Sequence, residues 1–77
     1  MQKKVLFVFG HGVEELELIA PADVLRRAGL EVNFASTEET RLVNTRGGFV
    51  VHADQSFAEI DGSAVDLLVL PGGPGVL

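Results

Sequence analysis

Two short runs constrain this chain more than anything else in it. "VLFVF", Val5 to Phe9, and "LLVL", Leu67 to Leu70, are unbroken stretches of valine, leucine and phenylalanine. A strand wetted on one face alternates apolar and polar residues. A strand with no polar member must be covered on both faces, as in a parallel sheet. The first run closes on Gly10 and the second on "PGG", Pro71 to Gly73, so the chain turns where each strand ends. Covering such strands takes helices, and one long helical stretch is legible: "GVEELELIAPADVLRRAG", Gly12 to Gly29. Arg26 and Arg27 suit the negative end of its dipole, and Gly29 suits the residue just past its end.

The remaining segments fill in the order. "LEVNFAS", Leu30 to Ser36, reads as a second strand with Val32, Phe34 and Ser36 on one side. "TRLVNTRGGFVVHAD" reads as a hairpin, Leu42-Val43 and Phe49 to Val51 about a turn through Asn44 to Gly48. "SFAEI" predicts a brief helical turn capped by Ser56, and Asp66 to Leu70 a further buried strand. The order β-α-β, hairpin, β belongs to a layered α/β sheet with right-handed crossovers. Nothing that precedes Leu67 to Leu70 can bury all four residues. The chain is therefore expected to be one incomplete domain, residues 1–77 forming the N-terminal half of a larger unit. A chain of 77 residues would in any case bury only roughly 60% of its unfolded surface.

Composition excludes several partners. The chain has no cysteine, so neither a disulfide framework nor a CxxC metal site supports it. A formal net charge of −5 argues against nucleic acid or an anionic membrane surface. Lys3 and Lys4 precede an apolar run too short for a signal peptide, and no run reaches the roughly 18 residues of a membrane span. A soluble, cytoplasmic protein is expected.

The long helix poses two questions. At about 100° per residue, Leu16, Ile19, Ala20, Val24 and Ala28 form one apolar arc, and Glu17 falls inside it beside Val24 and Ala28. Two readings stand: a desolvated carboxyl inclined to stay protonated, or a solvated first-turn acid favoured by the helix dipole. Pro21 cannot donate to the carbonyl of Glu17. It is harmless if the regular helix begins near Leu18, which leaves Val13 to Glu17 as an entry turn at the ligand-binding edge of the sheet.

"LVLPGGPG" also has two readings. Gly72 and Gly73 present backbone N–H groups to an anion or a developing oxyanion, or they form an ordinary turn. Pro74 lacks an N–H and holds Gly73 extended, which leaves the Gly73 amide as the free donor. Dinucleotide binding does not fit "FGHGVEE": Glu15 replaces the third glycine, and Glu14, Glu15 and Glu17 would repel a pyrophosphate. No cofactor is expected. His11 and His52 lie too far apart to form a metal pair. Asp23 and Arg27 have the spacing of a helical ion pair, and Arg46 sits in the hairpin turn.

Together "GVEELELIAPADVLRRAGLEV", "NTRGGFVVHAD" and "DLLVLPGG" resemble the ThiJ/PfpI superfamily in its DJ-one-like branch, from Lys4 to about Gly73. The resemblance implies a flavodoxin-like (class I glutamine amidotransferase-like) three-layer sandwich with a parallel sheet, usually homodimeric. It implies a reactive cysteine on a strand-to-helix elbow beyond residue 77, carried by a complementary C-terminal half of the same or a separate chain. The family's glutamate that hydrogen-bonds this cysteine falls on Glu17, and the oxyanion-pocket glycine on Gly73. Gly72, Glu15, His11 and Arg46 make up the expected substrate-contacting set. Asp23 and Arg27 match positions near the dimer interface and pocket. The hairpin is one residue longer than the family's usual spacing. By resemblance, the complete protein acts on small reactive carbonyls as a glyoxalase or deglycase, or carries out a related hydrolysis. The alternative is an oxidation sensor or redox-regulated chaperone of the same family.

Overall fold

β1, Lys4–Phe9, takes the centre of the sheet because every residue from Val5 to Phe9 is buried. The computed structural model describes residues 2–73. Within them four parallel strands lie in the order β5-β2-β1-β6, with β2 at Glu31–Ser36, β5 at Gln55–Ser56 and β6 at Leu67–Val69. β1 pairs with β2 from Lys4 opposite Glu31 to Phe9 opposite Ser36, and with β6 from Val5 opposite Leu67 to Phe7 opposite Val69. A separate antiparallel hairpin is formed by β3, Leu42–Asn44, and β4, Val50–His52. The layered α/β architecture expected from the apolar runs is the one observed.

The two faces of the sheet are unequally covered. On one, Val5, Phe7, Phe9, Val32 and Phe34 pack under helix α1, Glu15–Arg27. Phe34 meets Phe7 and Phe9 edge-on, with ring centroids 5.8 and 5.4 Å away, in the arrangement that ring quadrupoles favour. Arg26 lies 5.5 Å over the Phe34 ring and donates to the Val32 carbonyl at 2.8 Å. On the other face Leu6, Val8 and Ala35 are covered, among the described residues, by the partly buried Ile60 and Val65. Beside them runs an open apolar trough of about 530 Å³ bordered by Leu6, Phe57, Ile60, Val65 and Leu68. Leu67, Leu68 and Leu70 remain 51, 53 and 59% exposed, as a strand with half its cover must be.

Three expectations about α1 need correction. The helix begins at Glu15, not near Leu18: Leu18 N–H already donates to the Glu14 carbonyl at 3.1 Å. The acids Glu15 and Glu17 favour an early start by meeting the positive end of the dipole. Pro21 consequently lies inside the helix, exposed, and the helix continues past it without the bond to the Glu17 carbonyl. The buried stripe is Leu18, Ala22 and Leu25, not Leu16, Ile19, Ala20, Val24 and Ala28. Spacings of four and three keep the observed stripe narrow enough for the sheet. The larger apolar set points outward, with Leu16 78% and Val24 65% exposed. Glu17 is therefore exposed rather than packed among apolar residues. The end of the helix is as expected: Gly29 at φ +91° lets its N–H reach the Arg26 carbonyl, while Leu30 N–H reaches Leu25.

The turn predicted at Ser56 is present as one turn of 3-10 helix, Phe57–Glu59. Both the N–H and the hydroxyl of Ser56 donate to Glu59 Oε1 at 2.8 Å, and Arg41 clasps the same carboxylate through two 3.0 Å contacts. Among the described residues no helix is long and apolar enough to cross a membrane.

Candidate functional site

The loop from β1 into α1, residues 10–14, is the hub on which two distant segments converge. Gly12, at φ +91°, donates its N–H to the Asn44 carbonyl at 2.9 Å. Val13 is buried and anchors the loop, and its carbonyl accepts the Arg46 N–H at 3.0 Å. These bonds seat the hairpin on one side. On the other, Glu14 N–H donates to the Gly72 carbonyl at 3.0 Å and so fixes the PGG loop that leaves β6.

Gly72 and Gly73 are held at close range. A Cβ on Gly72 would collide with the Glu17 carboxylate, so this glycine is what admits Glu17 to the loop. Gly73 lies at φ +138°, and a Cβ there would come within 2.7 Å of the Gly12 carbonyl oxygen and 2.9 Å of Val13 Cα. The φ of Gly73 is positive, in a region that favours glycine. Pro74, the basis of the extended shape expected there, lies outside the described residues. Among the described residues, the N–H groups of Gly72 and Gly73 make no hydrogen bond.

The three acids at the start of α1 have different surroundings. Glu14 pairs with Arg46, Oε1 to Nη1 at 3.0 Å. Glu15 accepts the Gly47 N–H at 3.2 Å. Its carboxyl is held below the ordinary range, chiefly by its own backbone N–H at the helix start; desolvation, the next largest effect, opposes this, and the Gly47 N–H, the Thr45 hydroxyl and the Arg46 charge add to the lowering. Glu17 alone accepts no hydrogen bond among the described residues and stands against Gly72.

The other expected site residues have partners of their own. His11 has both ring nitrogens engaged: Nδ1 accepts the Asn44 N–H at 3.1 Å, and Nε2 is 3.9 Å from Glu38 Oε1. Asp23 and Arg27 form the helical ion pair anticipated from their spacing, Oδ1 to Nε at 3.0 Å. They are not part of the cluster, since Asp23 is about 9 Å beyond Glu17 along the helix axis. Four participants escaped the sequence reading: Glu14, Asn44, Thr45 and Gly47. The Gly47-Gly48 doublet was the available signal. Gly48, at φ +88°, serves the turn, which leaves Gly47 to be explained by a neighbour.

A parallel sheet with loops gathered at the carboxyl ends of its strands belongs to a flavodoxin-like α/β protein, a class of sheet that generally binds ligands at that edge. More narrowly, the chain belongs to the DJ-1/PfpI family, whose model matches residues 3–76. It is 39% identical over 97% of its length to protein dj-1beta of Drosophila melanogaster, covering 40% of that protein. The solved structure of Drosophila DJ-1beta superposes with a TM-score of 0.88 over 97% of this chain and 40% of the other. A deglycase of Thermococcus kodakarensis is 40% identical over 91% of this chain, which covers 42% of it. A glutathione-independent glyoxalase of Caenorhabditis elegans is 34% identical over 80% of this chain, which covers 33% of it. The chain thus spans less than half the length of these relatives.

Proposed function

We propose that residues 1–77 supply the acid and oxyanion side of a cysteine-dependent site acting on small reactive carbonyls, of the glyoxalase or deglycase type. In this reading they are the N-terminal half of one DJ-1/PfpI domain. The nucleophilic cysteine comes from the complementary C-terminal part, which also covers the trough beside β6. Its thiolate adds to the carbonyl carbon of an aldehyde such as methylglyoxal, and the carbonyl π pair moves onto oxygen. The N–H groups of Gly72 and Gly73 stabilise that oxyanion, and Glu17 orients the thiol and exchanges a proton with it. Arg46 offers positive charge at the rim. His11 and Glu15 act from the wall of the pocket, since their polar atoms are already engaged.

One observation supports this assignment above the others: of three neighbouring acids, Glu17 accepts no hydrogen bond among the described residues and is seated against Gly72, whose N–H is likewise unbonded among them. The names deglycase and glyoxalase carried by two relatives agree with it. Leu16, Phe49 and Val50, exposed by 78, 64 and 60%, lie on α1 and the hairpin bonded to it. With Asp23 and Arg27 nearby, they offer a face for a second copy, so a cytoplasmic homodimer of complete domains is part of the proposal. Methylglyoxal consumption by the full-length protein tests the activity. Turnover that survives Glu17→Leu undiminished would reject it and would favour redox sensing or chaperone action on the same scaffold.

A further inference from the structure

The hairpin tip needs a clasp. A two-stranded hairpin is at best marginal by itself, and this one belongs to a sheet of its own. Val43, fully buried, roots its base, but Arg46 to Val50 are all exposed. Arg46 is held by its N–H on the Val13 carbonyl at 3.0 Å and reaches Glu14 at 3.0 Å, which leaves the residues beyond it to be fixed by a further contact.

Gly47 identifies the device. Its φ is not positive, so the backbone does not require glycine there. The space of a Cβ there is filled by the Glu15 carboxylate, which accepts the Gly47 N–H at 3.2 Å and would have to leave that position if a side chain were added. We infer that Glu15 is a positioning residue: by seating Gly47 it sets the register of the hairpin tip on α1, and through it the placement of Arg46 beside Glu14. The consequence for catalysis rests on the function proposed above, but the contact itself does not.

The full-length protein provides a test with separate arms. In Glu15→Ala the Gly47 amide exchanges its hydrogen roughly tenfold faster or more, and the Arg46 side-chain NMR signal moves. Glu15→Gln, whose amide oxygen still accepts the N–H, restores both. Gly47→Ala disturbs the tip in the parent protein and has little further effect in Glu15→Ala, because the obstructing carboxylate is gone. A Gly47→Ala effect of equal size in both backgrounds, or unchanged exchange in Glu15→Ala, overturns the inference. The carbonyl-consuming activity is read in parallel. If the tip responds as stated while activity never depends on Glu17, the proposed function fails and the positioning role stands.

Discussion

The carboxylate of Glu17 occupies the space that a side chain on residue 72 would need, so acid and glycine are fitted to one another. Gly72 does not have a positive φ, so its own backbone does not demand glycine, and a side chain there would instead push the Glu17 carboxylate aside. Gly72→Ala in the full-length protein should displace Glu17 and lower carbonyl turnover by about 10-fold or more, with a small change in melting temperature. Retention of full turnover would separate the loop from the chemistry.

Glu17 itself is expected to govern thiol reactivity more than stability. It is exposed and joins no hydrogen bond among the described residues, so Glu17→Gln and Glu17→Leu should shift Tm by little. The same variants should alter the titration of the partner cysteine. Thiol alkylation rates across pH, set beside melting curves, check this, and identical cysteine titrations in variant and parent would reject it.

Gly73→Ala should be more damaging than Gly72→Ala to the fold. It places a side chain at φ +138° and against the Gly12 and Val13 backbone, which cannot retreat as a glutamate side chain can. A loss of about 1–3 kcal/mol is expected from the dihedral alone, read from denaturant midpoints at constant slope.

Acid should release the 3-10 turn at Ser56 before it melts the sheet. The Ser56 N–H, then its hydroxyl, then Arg41 hold Glu59 at about 2, below its ordinary 4.5. A depressed carboxyl lends stability above its unfolded value and loses it on acidification, so the contribution fades between pH 4.5 and about 2. The Glu59 carboxyl carbon, followed by NMR, should titrate near the lower limit. Glu59→Gln should remove that pH dependence, and a midpoint near 4.5 would contradict the clasp.

The chain expressed as residues 1–77 alone should associate or bind apolar dyes, because Phe57, Leu67, Leu68 and Leu70 are each more than half exposed. Sedimentation and thermal unfolding check it. A cooperative melt by a monomer would count against the need for further cover.

The sheet was legible because Val5 to Phe9 is a continuous apolar run of β-type residues closed by Gly10, short enough for a strand and too short for a buried helix. The helix's existence and its end at Gly29 were equally plain. Its orientation was not. Leu16, Ile19 and Val24 outweigh Leu18 and Ala22 in hydrophobicity, and periodicity alone cannot distinguish a face turned to the core from one left open. Glu17 and Gly73 were reached through motif resemblance. The Glu14–Arg46 and Glu15–Gly47 contacts join residues 32 apart in sequence, a separation at which no local pattern speaks.

The pairing of β6 with β1 has a consequence for fidelity. Since Gly72 lies three residues beyond β6 and Glu14 and Glu17 follow β1, alignment of the two strands also sets the spacing of the candidate site. A one-residue mispairing would displace the PGG loop by about 3.3 Å and invert the facing of every β6 side chain. Such an isomer could still be compact, but it would not bring Gly72 against Glu17, so correct strand alignment and assembly of the candidate site are verified in a single event.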